Sequence, residues 1–124
     1  KRFLIEAYDM SLKGESPVWD KKTQVEHILP QNISDWNNFP NYNDEIHSEC
    51  VHLFGNIVPL SGEFNNTVSN KSFLEKKKAL MKNTMYKSTR ELFEQNYSWD
   101  PVDIKRRNEK LAKWALKRWQ YLEK

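Results

Sequence analysis

A histidine beside a glutamate is followed by an asparagine, and nine residues later by a second asparagine. His27 lies in Val25-Glu26-His27-Ile28-Leu29-Pro30, Asn56 in Gly55-Asn56-Ile57-Val58-Pro59-Leu60, and Asn65 in Phe64-Asn65-Asn66. An imidazole, with an ordinary pKa of roughly 6.5, takes a proton from water near neutral pH. A carboxylate and a carboxamide hold a hard cation through oxygen, and magnesium needs few protein ligands because it keeps several waters and takes phosphate oxygens. Those are the needs of phosphodiester hydrolysis: water loses a proton as it attacks, the phosphorane-like charge is neutralised, and the leaving 3′ oxygen is stabilised. On this reading His27 is the general base, and Glu26 and Asn65 hold one Mg²⁺ or Mn²⁺. Adjacent residues on a regular strand point to opposite faces. Glu26 and His27 therefore converge only if the strand twists or ends there, and Pro30 puts the end nearby.

The elements that must position these residues can be read in outline. Residues 2–12 suit a helix with Phe3, Ala7, Met10 and Leu4 on its apolar side. Residues 23–29 suit a short strand ending before Pro30. From Gln31 to Asp44 the chain is dense in Asn, Asp and Pro, with Trp36, Phe39 and Tyr42 interleaved, which suits a long ordered loop. A helix capped by Asp44 runs to Leu53, and residues 56–60 form a second short strand. Asn65 to Ser69 forms a turn of helix. Ser72-Phe73-Leu74-Glu75 is a capping box for a helix to about Lys82, and residues 88–95 form another. Asp100-Pro101-Val102-Asp103 opens the last helix, whose apolar stripe is Ile104, Leu111, Ala115, Trp119 and Leu122, flanked by Trp114 and Leu116. Its other face carries Lys105, Arg106, Lys110, Lys113 and Lys117. The order predicts an α+β fold, mostly helical, around one small β-hairpin opened by a long insertion.

With 124 residues the chain suits one domain with a modest core, here expected to be a piece of something longer because it starts without Met. No segment has the look of a signal peptide, and no apolar run approaches membrane-spanning length, so no membrane partner is expected. The single cysteine, Cys50, excludes an internal disulfide framework and fits a reducing compartment. The net charge of +3 is unevenly divided. Residues 1–70 hold 5 Lys/Arg against 10 Asp/Glu, and residues 71–124 hold 15 against 7. One basic half suits a polyanionic partner, or simply solvated helices rich in lysine. Asn70, Lys71, Lys77 and Arg106 are the candidates for phosphate contact. His47, Cys50 and His52 suggest zinc, but without a CxxC or a second pair an ordinary half-buried helix is the better reading.

The sequence resembles the HNH, or ββα-metal (His-Me finger), nucleases. In them an acidic residue or His precedes the base at the end of the first strand, an Asn stands on the second strand, and a His or Asn nine residues later binds metal. The run Glu-His-Ile-Leu-Pro-Gln, then Gly-Asn-Ile, then Asn65 with Ser-Asn-Lys-Ser-Phe and a downstream Lys, resembles more narrowly the C-terminal nuclease domain of GmrSD-type modification-dependent restriction enzymes, over roughly residues 20–124. The ending Trp99, Ile104, Arg107, Trp119 is similar too. The resemblance implies a metal-dependent DNA endonuclease of prokaryotic, cytoplasmic anti-phage defence. His27 and Asn56 would be the catalytic pair, Asn56 by holding the base-bearing loop, and Glu26 and Asn65 the metal ligands. The core motif would span 23–82, with a basic helical extension over 83–124. It implies a separate N-terminal module that hydrolyses nucleotide and senses DNA, since this chain carries no Walker-type phosphate loop. Two other readings share the residues: a non-catalytic nucleic-acid binding or docking module, and an RNase or toxin with the same site. Glu26 replaces the commoner Asp or His, and Ile57 and Pro59 depart from the usual apolar strand.

Overall fold

The computed structural model describes residues 2–31, 43–62, 72–81 and 86–120. At its centre β1 (Gln24–His27) pairs antiparallel with β2 (Ile57–Leu60), in the register Gln24 with Leu60, Val25 with Pro59, Glu26 with Val58 and His27 with Ile57. β2 is buried throughout, so this two-stranded ribbon divides the core. Alternation sends Val25, His27 and Ile57 to one face and Glu26, Val58 and Leu60 to the other. Ile57 packs with Ile5, Tyr8 and Leu111. Val58 and Leu60 pack with Ile28, Leu29, Phe73, Leu80, Phe93, Trp99 and Ile104.

Five α-helices are present among the described residues: α1 (Arg2–Ser11), α2 (Asp44–Cys50), α3 (Phe73–Met81), α4 (Lys87–Gln95) and α5 (Pro101–Arg118), with one turn of 3₁₀ helix at Phe54–Asn56. An α+β fold with a long insertion between its strands is what the sequence predicts. The capping signals behave as their chemistry requires. Ser72 and Glu75 exchange hydrogen bonds at the start of α3. At α5, Asp100 accepts from Asp103 N while Asp103 accepts from Asp100 N, with Pro101 at the first helical position.

Four expectations need correction. In α1 the buried residues are Ile5, Tyr8 and Asp9, whereas Phe3 and Met10 are 68% and 70% exposed. The helix is turned by a polar anchor that hydrophobic periodicity does not weigh: Ser88 donates from both N and Oγ to Asp9 Oδ1, at 2.8 and 2.7 Å, tying α1 to the start of α4. The cap of α2 is Asn43, whose side chain accepts from Ile46 N, so Asp44 is the first helical residue. Asn56 lies on the 3₁₀ turn that feeds β2, not on the strand. On α5 the buried residues are Ile104, Arg107 and Leu111, and Leu116 is exposed. The loop aromatics Trp36, Phe39 and Tyr42, the turn at 65–69 and Leu122 lie outside the described residues.

Gly55 fixes how α5 meets the ribbon. A Cβ there would stand 2.4 Å from both Ile104 O and Asn108 N, which are helix backbone and cannot yield. Glycine alone permits this approach, and it is secured by a 2.9 Å bond from Gly55 N to Asn108 Oδ1.

Candidate active site

β1 ends at His27, and the chain turns into the core through Ile28 and Leu29, both buried. Two side chains and one backbone carbonyl take every backbone polar group across this exit. Ile28 N donates to Asn56 O at 2.9 Å. Leu29 N donates to Asn56 Oδ1 at 2.8 Å, and Asn56 Nδ2 donates back to Leu29 O at 3.0 Å. Lys76 Nζ donates to His27 O at 3.1 Å and to Ile28 O at 3.0 Å. One residue further on, His47 Nε2 bonds Pro30 O at 2.8 Å, and because a carbonyl only accepts, this nitrogen carries the proton.

Asn56 is fully buried and its carboxamide is saturated. Beyond Leu29, its Nδ2 donates to Val51 O at 2.9 Å and its Oδ1 accepts from Trp99 Nε1 at 2.8 Å. Arg107 holds the carbonyls on either side of it, donating from Nη1 to Gly55 O and Ile57 O, both at 2.8 Å. Burial lowers the Arg107 pKa to about 10, against the opposing pull of Tyr8 and Glu91. Tyr8 in turn donates to Glu91 Oε1 at 2.5 Å, and burial pushes its own pKa up. The 3₁₀ turn is thus clamped from three sides: Asn56 inward, Arg107 from α5, and Asn108 on Gly55.

His27 is half-buried and packs edge-on against the exposed ring of His52, with centroids 5.4 Å apart. Glu26, on the other face of the ribbon, is buried, and its Oε2 has no hydrogen-bond partner among the described residues. Burial raises its pKa, opposed by the Lys76 charge and a backbone hydrogen bond at His27. A desolvated carboxylate oxygen with nothing to accept from suits a metal ligand. The described residues contain no group of three or more His, Cys, Asp and Glu able to hold a metal. Zinc at His47, Cys50 and His52 finds no support there: His47 Nε2 is engaged at Pro30 and Cys50 is buried.

The structure therefore brings Glu26, His27 and Asn56 to one strand exit, with the Glu26 and His27 side chains on opposite faces. Asn65, Asn70 and Lys71 lie outside the described residues. Lys77 bonds Asn96 O at 3.3 Å and lies over the Tyr97 ring. Arg106 is exposed but paired with Asp103 at 3.0 Å. Four cations of α5, namely Lys105, Arg106, Lys110 and Lys113, stand within 4.0 Å of a carboxylate, so much of that basic face is already matched. Sequence reasoning missed Lys76 as part of the site and placed Arg107 in the ending that supports the resemblance rather than in the site. A signal for Lys76 existed: a lysine stands in the buried register of α3, between Phe73 and Leu80 at i, i+3 and i+7.

A family model described as GmrSD restriction endonucleases, C-terminal domain, matches residues 2–114. No curated protein and no solved structure matches the chain.

Proposed function

This chain belongs to the C-terminal domain family of the GmrSD restriction endonucleases, a restriction endonuclease module, and from that premise we propose that it hydrolyses DNA phosphodiesters by an HNH-type mechanism with His27 as general base. The supporting observation is the strand exit: the backbone from His27 O to Leu29 O is fixed by Asn56 and Lys76, while the His27 imidazole stays half-exposed beside it. Rigid placement of a base whose ring still reaches solvent is what proton abstraction from an attacking water requires. Asn56 serves as a positioning residue, since its four hydrogen bonds are all spent on protein.

Glu26 and Asn65 would hold the divalent cation, Mg²⁺ or Mn²⁺. Such a cation, when bound, supplies charge neutralisation at the scissile phosphate and leaving oxygen. Glu26 offers a buried oxygen with no partner among the described residues; because its side chain and that of His27 lie on opposite faces of β1, the phosphate and its cation would have to sit at the end of the strand to meet both. Asn70, Lys71, Lys77 and Arg106 would contact phosphates, Lys77 and Arg106 by exchanging their present partners, and such contacts position without specifying sequence. A nucleotide-hydrolysing DNA sensor in the same full-length protein and action in the prokaryotic cytoplasm belong to the same reading. Of the described residues, no helix is long and apolar enough to cross a membrane.

The metal assignment is tested by titrating Mg²⁺ and Mn²⁺ in a plasmid nicking assay. Glu26→Gln and Asn65→Ala are expected to raise the half-saturating metal concentration by about tenfold or more, since loss of even an outer-shell partner of a ligand costs about 10- to 100-fold. An unchanged metal requirement in both variants would remove them from the site. Single-stranded RNA run alongside tests the sugar, because attack by water uses no 2′-hydroxyl.

A further inference from the structure

Lys76 is 0% exposed. Its neighbours on the same face of α3, Phe73 and Leu80, belong to the main apolar cluster, and a leucine or methionine at 76 would continue that stripe without burying an ammonium. Desolvating a charge costs several kcal/mol, and burial here lowers the Lys76 pKa to about 8, with Glu26 opposing. Packing does not account for the residue, but its hydrogen bonds do. Successive carbonyls on a regular strand point to opposite sides. A single ammonium reaches His27 O and Ile28 O together, at 3.1 and 3.0 Å, because the strand has ended and the chain is turning. Asn56 meets the groups on either side of this pair, Ile28 N through its own carbonyl and Leu29 N and O through its carboxamide. Removing Lys76 takes away the bonds to His27 O and Ile28 O while the Asn56 contacts remain.

We propose that Lys76 is a positioning residue for the base: by gripping the carbonyls of His27 and Ile28 it fixes the turn that ends β1 and so sets where the His27 imidazole stands. The role rests on the nuclease reading of His27. It also gives α3 a direct link to the base.

The test compares the full chain with Lys76→Met, Lys76→Arg and the exposed neighbouring control Lys78→Met, each assayed at matched folded fraction. Two readouts are taken: kcat and KM for plasmid nicking, and the NMR signals of the His27 ring and of the backbone at 27–29. Lys76→Met is expected to lower kcat by about 10- to 100-fold, the scale of a sub-ångström to 1 Å misplacement. KM should stay within about threefold, since substrate contacts are untouched. The NMR changes should concentrate at His27–Leu29, and Lys76→Arg should recover part of kcat by restoring a cation. A kcat within about twofold of wild type, or shifts spread evenly along α3, would overturn the proposal. If both Lys76 variants fail to fold, the wild type decides: a slowly exchanging Lys76 ammonium coupled to the His27 and Ile28 carbonyl carbons supports it, and a rapidly exchanging one overturns it. Absence of nicking by the wild type defeats the nuclease reading and the role with it, while the NMR response still reports whether Lys76 holds His27.

Discussion

Truncating Asn56 should cost most of what holds the site together. Asn56→Ala leaves four buried groups without their partner: the Leu29 and Trp99 N–H groups, both at 2.8 Å, and the Leu29 and Val51 carbonyls, at 3.0 and 2.9 Å. At about 1–3 kcal/mol for each stranded group the sum runs from about 4 to 12 kcal/mol. Water entering the vacated space recovers part of that, so a loss of about 4 kcal/mol is expected. That is a large share of a typical domain stability of about 5–15 kcal/mol. Asn56→Asp sharpens the test. It keeps the two accepted bonds but turns a carboxylate oxygen towards two carbonyls, which raises its folded pKa above the ordinary value of about 3.9. The folded state then binds more protons than the unfolded one between those two values, so the variant loses stability as pH rises through that window, by up to about 1.4 kcal/mol per unit. Urea unfolding followed by tryptophan fluorescence at pH 5 and pH 8 measures both effects, taken as differences from wild type. An Asn56→Ala loss below about 1 kcal/mol, or an Asn56→Asp deficit that does not grow with pH, would refute the hub assigned to this carboxamide.

Gly55→Ala should fail by collision: its Cβ meets α5 backbone at 2.4 Å, so α5 must move, and a loss of about 3 kcal/mol, at the upper end for overpacking, is expected in the same unfolding assay. A lysine lowered from 10.5 to about 8 binds fewer protons folded than unfolded between those values, so wild-type stability should rise with pH across that window by up to about 3 kcal/mol. Lys76→Met should abolish that rise, which is seen by comparing midpoints at pH 8 and pH 10.

What the sequence made legible was local. The capping boxes at Ser72–Glu75 and Asp100–Asp103, a first strand ending before Pro30 and a second read over 56–60, one residue longer than the strand formed, all follow from groups a few residues apart. The candidate base and the spacing that carries the resemblance rest only on residue type and order. What was not legible depends on partners far along the chain. Asp9 is buried because Ser88 bonds it, and that contact turns α1 so that Ile5 and Tyr8 pack inward instead of Phe3 and Met10. Arg107 sits inside the apolar stripe of α5 because Gly55 O and Ile57 O await it. Lys76 sits inside that of α3 because two carbonyls of the strand exit do. A cation within an apolar register reads as a break in the pattern until its acceptors, about 50 residues away, are known.

The most direct test of the nuclease assignment is plasmid nicking by wild type and His27→Ala at matched folding, in Mg²⁺, in Mn²⁺ and in EDTA. Metal-dependent cutting by the wild type, reduced by about 10²-fold or more without the imidazole, is the expected result for loss of a general base. Equal cutting by both proteins would contradict it and remove His27 from the chemistry.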